Sequence, residues 1–184
     1  YFHKHYLHFF PKLTDRSLFV RQAANLWQIK AAIQQRLVVV SGQASDPIQI
    51  IDTLPLPTCV LTRAVRDRCF KNEADFGYCA AKDMHYYGFK LGLRISRLGM
   101  ITHYPLLAAR PHDIQSLETL LEGFEGLAPA DKGFIDEYRH SLLLEHHRIL
   151  VVTPARKNMH SDLPKQLRRF CRRVRKYVET VGSH

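Results

Sequence analysis

Three acidic residues in this chain sit where a carboxylate could do chemistry. Asp52 closes the short β-branched run IQIID, and Asp131 closes LAPAD. Glu179 is the single acid in KQLRRFCRRVRKYVETVGSH, a stretch that carries seven basic residues between Lys165 and Lys176. Strand ends that neighbour each other in an open sheet form the usual ligand crevice. Two carboxylates facing each other there are costly unless a cation lies between them. Mg²⁺ suits such a pair, being a hard ion that takes oxygen ligands and leaves room for phosphate oxygens. A third carboxylate would let the site hold two ions about 3.5–4 Å apart, the arrangement that stabilises attacking and leaving oxygens in phosphodiester cleavage.

Glu179 belongs to a patterned helix. Arg168, Arg172, Arg175 and Glu179 follow one another at steps of four, three and four, so they share one stripe. That stripe runs beside an apolar seam of Leu167, Phe170, Cys171, Val174, Tyr177, Val178 and Val181. The arginines suit a nucleic-acid backbone, and the acid suits a metal. Plainer roles stand beside these. Glu179 follows Arg175 by four residues, the spacing of an ordinary surface ion pair. Asp52 could cap the turn after its strand, and Asp131 a helix starting near Gly133. With 17 acidic residues in the chain, many other trios could be assembled.

The elements that must position these residues are legible in outline. Residues 1–40 read as helical, with capping types at Thr14, Asp15 and Ser17 and a stripe of Leu18, Gln22, Leu26, Ile29, Ile33 and Leu37 on which Phe19 and Trp27 pack. The histidines of HKHYLH, His3, His5 and His8, lack supporting ligands nearby and suggest a terminal tract. VVVSGQASDP is a break. IQIID reads as a buried strand, stopped by the prolines of TLPLP, and residues 58–83 as irregular and basic. MHYYGFKLGLRIS alternates as a strand, with LGMITHYPLL as its hairpin partner turning near Gly99. DIQSLETLLEGF is an amphipathic helix opened by Asp113 as N-cap, LAPAD a strand, FIDEYRHSLLLEHH a helix and RILVVTP a strand. The final helix starts at about Pro164. This order predicts an α/β fold: a ribonuclease-H-like mixed sheet of about five strands with helices on both faces, preceded by one or more N-terminal helices.

A formal charge of +10 favours phosphate backbones or anionic surfaces as partners. No apolar run approaches the ~20 residues that cross a bilayer. Cys59, Cys69, Cys79 and Cys171 form no CxxC pair and no zinc-finger spacing, which fits a reduced, cytoplasmic protein. With no initiator Met and no closing signal beyond Gly182, both ends read as cut.

The segments IIDTLPLPTC, FGYCAAKDMHYYGFKLGL, ADKGF, TPARKN and YVETVGSH, in that order, resemble the DDE-domain transposases of bacterial insertion sequences. The likeness spans residues 46–184 and matches Asp52, then Gly77, Tyr78, Lys82, Tyr87, Gly88 and Lys90, then Asp131, Lys132 and Gly133, then Arg175, Glu179 and Thr180. It departs at Arg172, where some relatives carry Tyr, at Ala130, where Gly is common, and at Phe134, where Tyr is common. A Lys expected seven residues past Glu179 falls beyond His184. The resemblance implies that Asp52, Asp131 and Glu179 ligate two Mg²⁺ ions, with Mn²⁺ as a substitute, to cleave DNA at element ends and join it to target DNA. It implies double-stranded DNA as partner, a homodimer or larger synaptic assembly, no membrane, and a nucleoid-associated place in a bacterial cytoplasm. Lys90, Lys132, Arg168, Arg172 and Arg175 are the candidate DNA-backbone contacts. Residues 1–40 would be the remnant of a DNA-binding region, and 46–184 a catalytic core truncated at its C-terminus. The runner-up reading is a DNA-binding or dimerisation remnant without catalysis, and a weaker one is a ribonuclease-H-like nuclease acting on other nucleic acids.

Overall fold

The alternation of MHYYGFKLGLRIS makes it the spine of a sheet. A computed structural model describes residues 5, 8, 15–80, 82–155 and 164–182, with side chains of the last helix described as far as residue 173. In the unit Gly42–His184, β1 (Gln49–Cys59), β2 (Asp75–Cys79), β3 (Met84–Ser96), β4 (Ile101–His103) and β5 (Leu106–Ala108) form an antiparallel sheet in which β3 pairs with all four others. Tyr87, Phe89, Leu91, Leu93 and Ile95 take one face of β3, as their period-2 spacing predicts. Gly99, at φ +83°, makes the turn into β4.

A second, parallel pair, β6 (Gly126–Pro129) and β7 (Ile149–Val152), joins the first sheet beside β1. The junction is a parallel bridge between Ile48 and Leu127, with the Leu127 N–H donating to the Pro47 carbonyl at 2.8 Å. Asp46 sets the start of β1: its buried carboxylate accepts from the Ile48 N–H at 3.0 Å and from Arg97 Nε at 3.0 Å. The strand sequence β7–β6–β1–β3, with β2, β4 and β5 paired to β3, is the ribonuclease-H-like mixed sheet.

Each face of the sheet has its own cover. On one, Ile50, Leu54, Leu91, Leu93, Ile95 and Ile101 pack with Phe170 of α5 (Lys165–Gly182). The Pro164 carbonyl accepts from Arg168 N–H at 3.1 Å in the first turn of that helix. On the other face, Ile51, Ala128, Ala130, Ile149 and Val151 pack with Leu117 and Leu120 of α3 (Leu117–Leu120), Phe134, and Leu143 of α4 (Glu137–His147). The Asp136 carboxylate caps α4 by accepting from the Arg139 N–H at 3.1 Å. Arg94 Nη1 reaches from β3 to the Leu120 and Glu122 carbonyls, 3.2 and 2.8 Å away. No helix among the described residues is long and apolar enough to cross a membrane.

Four expectations need correction. β1 does not stop at TLPLP but runs to Cys59, with Pro55 opposite Lys90 and Pro57 opposite Gly88. Past Asp52 it has left β6 and become an edge, and an N–H turned to an open edge is one a strand can lack. The stretch read as irregular contains β2, whose order comes from pairing with β3, and a 3₁₀ turn at Leu61–Arg66. The helix expected over DIQSLETLLEGF shortens to a 3₁₀ turn, Asp113–Ser116, and the four residues of α3. His112 rather than Asp113 holds the cap position there, because the Asp113 carboxylate is engaged elsewhere.

The unit Tyr1–Ser41 contains α1 (Arg16–Asn25) and α2 (Trp27–Val40), divided at Leu26. Asp15 caps α1 by accepting from the Ser17 and Leu18 N–H groups at 2.8 and 3.0 Å. Thr14 and His3 lie outside the described residues. Leu18, Leu26, Ile29, Ile33 and Leu37 are exposed, and so are Phe19 and Trp27, which were expected to pack on them. Among the described residues of this unit, two helices alone offer no third layer to bury such a stripe.

Candidate active site

Asp52 is not at a strand end; it stands within β1, which runs on to Cys59. From the bridged pair Ile48 and Leu127, four residues along each parallel strand lead to Asp52 and Asp131. That count sets Asp131, two residues past the end of β6, against Asp52 of β1. Ile51 and Ala130, the residues before each acid, are both buried in the same core cluster. Adjacent strands run about 4.8 Å apart, so the two backbones pass within side-chain reach.

Alternation also places both carboxylates on one face. Ile50 and Leu54 point toward α5, so Asp52 between them does as well. Ala128 and Ala130 point into the opposite core, so Asp131 points away from it, toward the face that α5 covers. Both residues are half-buried. The Asp52 Oδ1 accepts from the Thr53 N–H at 2.8 Å. Asp131 opens the 3₁₀ turn Lys132–Phe134, yet its side chain makes no capping bond. The capping role open to it in the sequence is not the one it takes.

The turn after Asp131 is held from behind. Phe134 is 1% exposed in the core under α4, and its carbonyl accepts from His140 Nε2 at 2.7 Å. The Asp113 carboxylate lies against Gly133: a Cβ on that glycine would stand 3.0 Å from Asp113 Oδ2. Asp113 is in turn fixed by Lys90, whose Nζ donates to Asp113 Oδ1 at 2.9 Å and to the Pro111 carbonyl.

Lys90 is thus buried on the α3/α4 face of β3 and committed to Asp113, rather than presented to solvent. Nearby, burial first and then the Asp113 charge push the Tyr86 hydroxyl up to about 12, so it stays neutral. Lys132 is exposed beside Asp131, and Arg168 and Arg172 are exposed on α5. Glu179 and Arg175 belong to the last turns of α5, and their side chains lie outside those described. The helix that carries Glu179 packs on β1, which carries Asp52, and on β6, which ends two residues before Asp131.

The donor chemistry fits a hard divalent ion: two carboxylates on one face at a strand boundary offer oxygen ligands only. Among the described residues no group of three His, Cys, Asp or Glu side chains forms a metal cluster. Sequence reasoning missed Asp113, which it took for a cap. The spacing of Lys90 and Asp113 carries no periodic signal that would have paired them.

A family model described as the transposase DDE domain matches residues 42–184. The chain belongs to the transposase DDE domain family. Domains of this family generally use divalent metals. No curated protein matches the chain. The chain is also similar to a cryo-EM structure of the piggyBac transposase synaptic complex with hairpin DNA, at 17% identity and a TM-score of 0.40. That similarity covers 66% of this chain and 25% of the other, so the chain spans about a quarter of that protein's length.

Proposed function

We propose that residues 42–184 form the catalytic core of a bacterial insertion-sequence transposase that cleaves DNA at element ends and joins it to target DNA. What supports this reading is the family match over residues 42–184, together with a strand register that counts Asp52 and Asp131 four residues on from the bridged pair Ile48 and Leu127. Glu179 is the third ligand in the proposal, carried on the helix that packs on β1 and β6. Its position in the helix, at the end of the stripe begun by Arg168 and Arg172, supports that assignment.

Asp52, Asp131 and Glu179 would hold two Mg²⁺ ions, with Mn²⁺ as a substitute. When bound, such ions lower the pKa of water and stabilise the attacking and leaving oxygens of a phosphodiester. The protein's part is geometric. The Thr53 N–H fixes the Asp52 carboxyl, and the buried ends of the Asp131 turn fix the other. Lys132, Arg168, Arg172 and Arg175 hold the DNA backbone so that the scissile phosphate lies over the carboxylates. Lys90 drops out of that set, since its ammonium is spent on Asp113. Water opens the strand to a 3′-hydroxyl, which then attacks target DNA in line. Double-stranded DNA and a homodimeric or larger synaptic assembly are the partners, and residues 1–40 are assigned to the adjoining DNA-binding region.

The test is strand cleavage of a duplex carrying the element's own ends. Asp52→Asn is expected to abolish Mg²⁺-dependent cleavage and to leave DNA binding intact; cleavage that survives the change ends the reading. Salt-sensitive DNA binding by the unaltered chain with no nicking at all would instead favour a non-catalytic remnant.

A further inference from the structure

We infer that Lys90 and Asp113 are positioning residues for Asp131, acting through the turn that follows it; the inference rests on the metal-site reading above. Lys90 lies on the central strand, opposite Pro55 of β1 and Leu107 of β5. Its side chain is 10% exposed, and that burial leaves the ammonium dependent on the partners it has, Asp113 Oδ1 and the Pro111 carbonyl. An ammonium held by two acceptors on one loop fixes that loop to the strand. The second oxygen of Asp113 is therefore not at liberty to swing away. It stands against Gly133, two residues past Asp131, at the distance where a methyl group could not be added without displacing something.

The turn is thereby clamped on three sides. Ala130 is fully buried before Asp131, Phe134 is buried after it, and the Asp113 carboxylate backs Gly133 between them. Asp131 projects from this clamp on the opposite face of the sheet from Lys90. The arrangement also explains two features of the sequence together, the Lys of YYGFKL and the Gly of ADKGF. They never meet, but Asp113 touches both. Orientation of a metal-ligating carboxylate by groups behind it typically governs metal affinity by about 10–100-fold.

The test is calorimetric titration of Mn²⁺ alone into the full chain, without DNA, with folding followed by far-UV circular dichroism. Lys90→Met is expected to weaken Mn²⁺ binding about tenfold or more, and Lys90→Arg, which keeps a cationic donor, to recover much of it. Gly133→Ala should weaken binding in the same direction from the other side of the contact. Should Lys90→Met fail to fold, the double variant Lys90→Met/Asp113→Asn leaves no unpaired buried charge and answers the same question. Should that variant fail as well, Gly133→Ala, at an exposed turn, decides alone. Mn²⁺ affinity within about twofold of the parent in these folded variants, while Asp131→Asn abolishes binding, overturns the inference and spares the metal site. If Asp131→Asn binds Mn²⁺ as the parent does, the metal-site reading fails and takes the inference with it.

Discussion

Asp52 and Asp131 each lie four residues beyond the bridged pair Ile48 and Leu127, on the face of the sheet that α5 covers. A divalent cation shared by the two carboxylates would stabilise the fold by binding it. Asp131→Asn removes one of the proposed ligands. Added Mg²⁺ should raise the parent's Tm and leave the variant's unchanged. At a hundredfold excess over Kd the ion contributes about 2.7 kcal/mol to the parent, a shift that thermal denaturation resolves.

The face of α5 that carries Arg168 and Arg172 is exposed and basic. If these residues contact phosphates, each replacement by Ala reduces the slope of log affinity against log salt by about 0.9. Fluorescence anisotropy with labelled duplex at several salt concentrations reads this directly. An unchanged slope would make them ordinary surface charges.

Two glycines of β3 predict different costs. Gly88 has φ +156°, and a Cβ there would run into the Leu56 carbonyl, backbone that cannot move without breaking the β1–β3 register. At Gly92 the obstruction is the end of a side chain, Leu120 Cδ2 at 2.7 Å, with Leu107 Cδ1 and Pro105 Cγ at 3.0 Å. Gly92→Ala should cost about 1–3 kcal/mol, the usual range for overpacking. Gly88→Ala should cost more, and urea denaturation of the two variants gives the ranking.

His103 on β4 supplies a pH dependence. Burial first, and then the Arg94 charge, hold its imidazole below the ordinary histidine range, against a bond from Nε2 to the Thr119 carbonyl. A depressed folded pKa means that the unfolded chain takes up the proton first. Stability should therefore fall as pH drops below about 6.5, the value of an unperturbed histidine. His103→Gln should flatten that fall when both proteins are denatured in urea between pH 7.5 and 5.5, taken as roughly a unit either side of that value.

Legibility in the sequence followed the range of the interaction. The two faces of β3 were readable because alternation is a local property, and α4 was readable because Asp136 and the apolar positions after it lie within one helix. The prolines of β1 misled because their effect depends on whether the neighbouring strand is still present, which β6 decides from far along the chain. DFGYC carries too few residues to declare a strand by itself and becomes one only beside β3. Asp113 looked like a cap for the same reason: the helix pattern after it was visible, and Lys90 was not. Asp52 and Asp131 were identifiable as strand-associated acids, while the register that relates them came from a single bridge between Ile48 and Leu127.

The central claim is that Glu179 joins Asp52 and Asp131 around shared divalent ions. Fe²⁺ substituted for Mg²⁺, with ascorbate and peroxide, generates hydroxyl radicals that cut the polypeptide beside wherever the ion sits. Mass spectrometry of the fragments is expected to find cuts clustered near residues 52, 131 and 179 together, all suppressed by excess Mg²⁺ and all absent in Asp52→Asn. Cuts confined to any one of these segments, or spread elsewhere with 179 untouched, would contradict the account.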